Sequence, residues 1–537
     1  VIHTGKGELD LRYIYKLFAA LTCFVLILCG ASSLYFYYQE KPDADIQLPL
    51  LSIVLPETRL IVIAPHSDDE TLGCGGIIRD VLAAGGQVMV VVMTNGDSFT
   101  VAAEEQFHRP AVNSADYIQL GHVRQSETLR ALKRLGLSED KVVFFGFPDH
   151  GLSALWAENW NVRQPYLSKY TASNHSPYNN SYQQGVPYAG QAVLANLGQV
   201  MSNFNPTLIL APHPDDEHSD HAATWTFVAA SFIGLSDKEI SPKPELYTYL
   251  VHRGSFPIPH GYRRDEVLLP PRPLLQSYNS QWMTYDIDAA AESIKEQAIK
   301  EYASQLRVPI MSSLLNSFIR KNELFAKVDI PLINHEQSAV DLTSLATWNN
   351  QEPILVPSRG VKLLDVLEPR AKIVNVSAVS QHKNIWLRFH IPDFLSNKMW
   401  YNVSVVTFRI QQIERQREKQ EFYFSAVDTN LPLDNIRRFQ DDVIIKLPHS
   451  PQGLPDYFFV QILTKDGFGV VCHHTVWQPA RIRHSNLSGQ SWFTRVWRDS
   501  SVRSELISAK MKHRGSGGET AQPELKPPIE AGALTNA

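Results

Sequence analysis

Two clusters of histidine and acidic side chains each follow a short apolar run. The first reads Ala64-Pro65-His66-Ser67-Asp68-Asp69-Glu70 and continues as Gly73-Cys74-Gly75-Gly76. The second runs from Ala211-Pro212 through His213, Asp215, Asp216, Glu217, His218 and Asp220 to His221, with three histidines and four acids in nine residues. Histidine with carboxylate suits Zn²⁺, with Mn²⁺ or Fe²⁺ as alternatives. Three protein ligands and one open position make a hydrolytic metal centre. Consecutive acids on a tight turn diverge, so one can bind metal while its neighbour stays free as a base. The bland reading is that such acids only cap a helix and compensate its dipole. Two clusters at matching strand ends favour the metal.

The elements that must position these residues are legible as well. Four short apolar runs, Leu60–Ala64, Val88–Thr94, Val142–Gly146 and Thr207–Ala211, are rich in β-branched residues and do not alternate. Strands buried on both faces read this way. Helical patterns over Thr71–Ala84, Val123–Leu135 and Ala192–Phe204 lie between them. The alternation predicts an α/β fold with a Rossmann-like, doubly wound, mostly parallel sheet, whose chemistry belongs at the carboxyl ends of strands. Residues 150–190, rich in Asn, Tyr, Ser, Pro and Gly, read as a long loop bordering the site. A further helix is expected over Ala289–Leu306. From Lys372 the texture becomes alternating, as at Ile385, Leu387 and Phe389, which predicts a β-sandwich. The expected layout is a flank over 1–16, a transmembrane anchor over 17–38, a catalytic domain over 45–330 and a linker over 331–370. A sandwich over 371–485 and a polar, disordered tail over 486–537 complete it.

Taken together, the motifs resemble the PIG-L (LmbE-like) zinc N-deacetylase family. His66-Ser67-Asp68-Asp69-Glu70 is similar to its His-Pro-Asp-Asp-Glu signature, with Ser67 in place of the usual Pro. His218-Ser219-Asp220-His221 resembles its His-x-Asp-His signature. Arg124-x-x-Glu127, Phe147-Pro148-Asp149 and Tyr302-Ala303-Ser304-Gln305 are similar too, so the likeness covers roughly residues 58–325. It implies His66, Asp69 and His221 as zinc ligands and Asp68 as general base. It implies His218 as the donor to the oxyanion and Asp220 as the group that orients a histidine. Arg124 and Asp149 are candidate sugar contacts, against a null of an ion pair or a turn cap. His213–Glu217 reads like a second copy of the first signature, but the glycine-rich continuation follows only the first.

The chain has 537 residues, room for two to four domains. Its net charge of −5 gives no argument for nucleic acid as a partner. Four cysteines exclude a disulfide framework. Leu17–Tyr38 carries no charged side chain, and about 20 apolar residues suffice to span a bilayer. Lys6, Arg12 and Lys16 before it favour an inside N-terminus, which makes the chain a single-pass membrane protein with its catalytic domain on the extracytoplasmic side. The resemblance and the anchor together imply removal of acetate from an N-acetylglucosamine-containing glycolipid, glycoconjugate or polysaccharide. An inactive or weakly active carbohydrate-binding membrane protein and a metal amidase acting on a non-sugar amide are the alternatives.

Overall fold

The computed structural model describes residues 11–483 apart from 43–44, 54, 237–242, 276–279, 337–340, 343, 350, 356–374, 382–383, 392–397, 410–416, 426–434, 440 and 448–452. The expected tail and much of the expected linker lie outside the described residues. The first element is helix α1 (Leu11–Glu40). Here the expectation of a membrane anchor is overturned: among the described residues no helix is long and apolar enough to cross a membrane. The extracytoplasmic, single-pass placement falls with it. The helix instead ends against the body, where the buried Glu40 carboxylate accepts the backbone N–H of Ser255 at 2.5 Å.

The elements of the α/β domain follow in order. They are β1 (Arg59–Ala64), α2 (Asp69–Ala83), β2 (Gln87–Thr94), α3 (Thr100–Phe107), α4 (Ser114–Arg134), β3 (Val142–Phe147), α5 (Leu152–Ala157), α6 (Gly190–Phe204), β4 (Leu208–Pro212), α7 (Ser219–Ser236) and β5 (Glu245–Tyr249). Then come α8 (Arg272–Leu275), β6 (Ser280–Asp286), α9 (Ala289–Ile299), α10 (Ala303–Leu306), α11 (Pro309–Asn316) and β7 (Asn322–Val328). One seven-stranded sheet runs β3-β2-β1-β4-β5-β7-β6. The first five strands are parallel, and β7 and β6 add antiparallel at one edge. Alternate strand residues feed two cores. Leu60, Val62, Val90 and Leu210 pack with α2, α4 and α9 on one face. Ile61, Ile63, Phe145 and Ile209 pack with α5, α6 and α7 on the other. That two-sided burial is why the runs carry no polar alternation.

The remaining strands make two more sheets. After β8 (Leu332–Ile333), β9 (His335–Glu336), α12 (Leu345–Asn349) and β10 (Pro353–Leu355) come β11 (Asn375–Gln381), β12 (Asn384–His390), β13 (Trp400–Phe408), β14 (Glu418–Ser425), β15 (Ile436–Phe439), β16 (Asp442–Leu447), β17 (Tyr457–Lys465), β18 (Val471–His474) and β19 (Gln478–Ile482). One sheet runs β10-β11-β12-β16-β15 with β9 on β11, and the other β14-β13-β17-β19-β8 with β18 on β17. Leu387 and Phe389 of the first share a core with Val403, Val405, Phe458 and Val460 of the second, so the two form a sandwich. Short strands β8, β9 and β10 join these sheets from the region expected as linker. The sandwich is docked on the α/β domain through Trp156 of α5, whose ring lies 4.8 Å from Phe459 and 5.6 Å from Phe408.

One buried ion pair ties this frame to α2, the helix that begins at Asp69. Lys295 Nζ of α9 lies 2.6 Å from Glu323 Oε1 of β7, and both residues are 1% exposed. The Glu323 carboxylate also accepts the N–H groups of Gly76 at 2.7 Å and Ile77 at 3.0 Å. A Cβ at Gly76 would stand 2.4 Å from Ile287, so glycine is what lets the helix come this close. Lys295→Met strands the Glu323 charge without its cation. It is expected to cost about 3–5 kcal/mol, read as a lowered urea midpoint; an unchanged midpoint would show that the pair holds nothing.

Candidate metal and active site

The two clusters meet. Strands β1 and β4 are parallel neighbours, and their connections leave to opposite faces of the sheet, α2 on one and α7 on the other. This is a topological switch point, where an open α/β sheet leaves a crevice at its carboxyl edge. His66–Asp69 line one side of it and His218–His221 the other.

The three residues expected as ligands converge. His66 Nδ1 lies 3.2 Å from Asp69 Oδ2, His221 Nε2 lies 3.1 Å from the same oxygen, and the two nitrogens are 3.3 Å apart. Ligand bonds of about 2.0–2.1 Å in a tetrahedron set neighbouring ligand atoms about 3.3 Å apart. The three atoms therefore mark three corners of such a tetrahedron. Asp69 Oδ1 is buried with no hydrogen-bond partner. Two imidazoles and a carboxylate at this spacing fit a divalent cation such as Zn²⁺.

Carboxylates stand behind both histidines. Asp216 Oδ2 lies 3.0 Å from His221 Nδ1 and also accepts the N–H groups of Val251 and His252. Asp149 Oδ1 lies 3.3 Å from His66 Nε2, while its other oxygen accepts Ser98 N and Ser98 Oγ. Such partners fix the tautomer and direction of a ligating imidazole. Burial alone would lower the His221 imidazolium, but Asp216 and Asp69 outweigh it and lift it to about 9.

Asp68 sits beside this cluster on strained backbone, with φ at 125°; strain of this kind collects at functional turns. Its carboxyl is pushed up to about 8 by burial, against the nearby Arg124 charge. Arg124 Nη2 donates to Asp68 Oδ2 at 3.2 Å and to Ser67 O at 2.6 Å, and Nη1 donates to Gly96 O at 2.8 Å. Behind the turn, Glu70 accepts Asp68 N and the Tyr302 hydroxyl. Glu127 accepts Ser304 N and Ser304 Oγ rather than pairing with Arg124 or Arg130. His218 is half-buried, with its ring 4.6 Å from that of His66. Burial and the neighbouring histidines push it down to about 2, so it is neutral. Its Nδ1 accepts Asp220 N at 3.3 Å, which leaves the proton on Nε2.

Two placements, those of Arg124 and Asp149, differ from the sequence expectation. Arg124 and Asp149, read as sugar contacts, are each 5% exposed and lie behind Asp68 and His66. Asp220, read as the orienter of a histidine, accepts the N–H groups of His150 at 2.6 Å and Leu152 at 3.1 Å and sets Oδ2 3.5 Å from His66 Nε2, a pairing compatible with that reading. Asp216 went unassigned, although it lies inside the duplicated signature. His213 of that copy points elsewhere, with Nε2 3.0 Å from Ser280 Oγ and its ring stacked 5.0 Å from Trp282. His252 also lines the crevice, 4.8 Å from the His221 ring. Cys74 is buried in the α2 core.

A parallel sheet with a histidine–carboxylate cluster at its switch point places these side chains where open α/β sheets bind their ligands. The sequence model of the family described as PIG-L: GlcNAc-PI de-N-acetylase matches residues 61–232, and this segment is a PIG-L family domain. The 1D-myo-inositol 2-acetamido-2-deoxy-alpha-D-glucopyranoside deacetylase of Mycobacterium sp. (strain KMS) is 27% identical over 268 residues, 48% of this chain and 77% of that protein. Its namesake in Mycobacterium sp. (strain JLS) is 31% identical over 185 residues, 34% of this chain and about half of that protein, 52%. Among solved structures, the N,N'-diacetylchitobiose deacetylase of Pyrococcus horikoshii is 17% identical, with 51% of this chain and 86% of that one covered and a TM-score of 0.31.

If Asp216 orients His221, Asp216→Asn is expected to weaken zinc binding about 10–100-fold by isothermal calorimetry. His213→Phe should bind zinc as the unmodified chain does. Equal zinc affinity in Asp216→Asn and the unmodified chain would remove Asp216 from the site.

Proposed function

We propose that this chain is a metal-dependent N-deacetylase. It hydrolyses the N-acetyl amide of an N-acetylglucosamine-containing glycoconjugate or polysaccharide and releases acetate. One observation carries this reading: the ligand atoms of His66, Asp69 and His221 already stand at 3.1–3.3 Å from one another, with the Asp68 carboxylate next to them in sequence and outside the ligand set. The family match of residues 61–232 supports it. The relatives named for deacetylating an inositol-linked 2-acetamido sugar support the substrate class.

A divalent cation held by His66, Asp69 and His221 would polarise the amide carbonyl and make a water at its open position more acidic. Asp68 takes the proton from the attacking water and returns it to the departing amine nitrogen. Arg124 holds the Asp68 carboxylate in place from behind. Neutral His218, with its proton on Nε2, donates to the oxygen that gains negative charge. Asp149 and Asp216 keep the two ligand imidazoles aimed, and Asp220 holds the His150–Leu152 turn over the site.

Asp68→Asn is expected to lower acetate release from N-acetylglucosamine derivatives by about 10²–10⁴-fold, with zinc content unchanged by atomic absorption. A variant that kept full activity would show that another group is the base. A metal-loaded unmodified chain that released acetate from no amino sugar would overturn the substrate class.

A further inference from the structure

A row of rings leads outward from the site along the 150–190 segment. The His218 ring lies 5.0 Å from His150, His150 lies 6.1 Å from Tyr170, and Tyr170 lies 5.4 Å from Tyr117. The row starts on the residue read as the oxyanion donor and ends at the surface, with His150 exposed and Tyr170 and Tyr117 half-buried. Resting on the deacetylase reading, we propose that His150 and Tyr170 form a binding wall for the sugar unit next to the reacting N-acetyl sugar, so that the enzyme favours oligosaccharides over single sugars.

The geometry separates the two positions. The reacting acetamido group must lie within reach of His218 and the ligand atoms. Tyr170 is one ring further out than His150, beyond hydrogen-bond reach of that group. An aromatic face with a polar tip suits a pyranose, whose C–H faces are apolar and whose rim carries hydroxyls. His150 offers ring nitrogens and Tyr170 a phenol for those hydroxyls.

The wall is held in place before a ligand arrives, which limits the ordering cost of binding. His150 N donates to Asp220 in the catalytic turn. Ser168 Oγ accepts the N–H groups of Tyr170 and Thr171. Tyr166 N donates to Tyr188 O, and Tyr188 N donates to Asn174 O. The Tyr178 hydroxyl is bonded to buried Asp97, which pins the segment to the end of β2. Tyr117, its hydroxyl 2.9 Å from Thr100 Oγ1, braces the Tyr170 ring edge-on. Lys169 Nζ rests 4.9 Å above the same ring.

The test compares acetate release from the N-acetylglucosamine disaccharide and from methyl N-acetylglucosaminide, using the full chain loaded with zinc. Tyr170→Ala and His150→Asn are measured beside the unmodified protein; Asn is chosen because it tolerates the positive φ of 56° at position 150. Each variant is expected to lower the disaccharide-to-monosaccharide ratio of kcat/KM about tenfold, chiefly through KM, with zinc content unchanged. Tyr170→Phe keeps the ring and should keep most of the ratio. An unmodified enzyme active on both sugars, with ratios unchanged in both variants, overturns the wall. An unmodified enzyme that releases acetate from another N-acetylglucosamine derivative but from neither of these sugars overturns the wall and keeps the deacetylase reading, whereas acetate from no amino sugar at all overturns the substrate class on which the wall rests. If Tyr170→Ala loses its zinc or its fold, His150→Asn and Tyr170→Phe decide the matter.

Discussion

Buried negative charge is the constraint on which the site depends. Asp68, Asp69, Asp149, Asp216 and Asp220 crowd around His66, His218 and His221, and every one of the five is at most 5% exposed. Arg124 is the cation that meets them directly, through Asp68. Carboxylates withdrawn from water are costly unless they are paired or coordinate a metal. Against the effect of burial, the carboxylates beside the His66 and His221 imidazoles hold both above their ordinary range. A divalent cation held by His66, Asp69 and His221 would balance the same carboxylates. One requirement of charge balance thereby accounts for the histidines set among the carboxylates and for the arginine beside Asp68.

The frame exists to keep these groups in register. Helix α2 is held against the sheet where the Tyr249 ring packs on Gly73, a position where a Cβ would stand 2.5 Å from the ring. The Tyr249 hydroxyl donates to Ile63 O of β1. On the second face, Asp220 joins α7 to the start of α5, and Trp156 of α5 carries the sandwich. The sandwich therefore rests on the element that borders the crevice, which gives it a structural link to the site.

Much of this was legible in the sequence, for a physical reason. Strands buried on both faces need continuous apolar runs, so β1 to β4 stood out, and the ligands follow β1 and β4 within a few residues. What the sequence left open depends on the path of the chain in space. Asp216 and Asp220 are both acids beside histidines; only the turn before α7 decides that the first faces His221 and the second faces the His150 turn. Arg124 and Asp149 are polar residues near the site in either reading, and burial alone separates a hidden ion pair from a sugar contact. The helix expected over Ala289–Leu306 breaks into α9 and α10, since the turn between them lets Tyr302 reach Glu70 and Thr71. Two-residue strands such as β8 carry no readable period. The apolar count over Leu17–Tyr38 suggested an anchor that the described residues do not support.

The measurement that tests the account most directly is zinc K-edge X-ray absorption on the zinc-loaded chain, beside His221→Ala. The account predicts one zinc per chain, with about four nitrogen or oxygen neighbours at about 2.0–2.1 Å, imidazole scattering from two histidines and no sulfur neighbour. It predicts loss of one imidazole, or of the metal, in the variant. A sulfur shell, a six-oxygen shell, or an absorption spectrum unchanged by His221→Ala would contradict it.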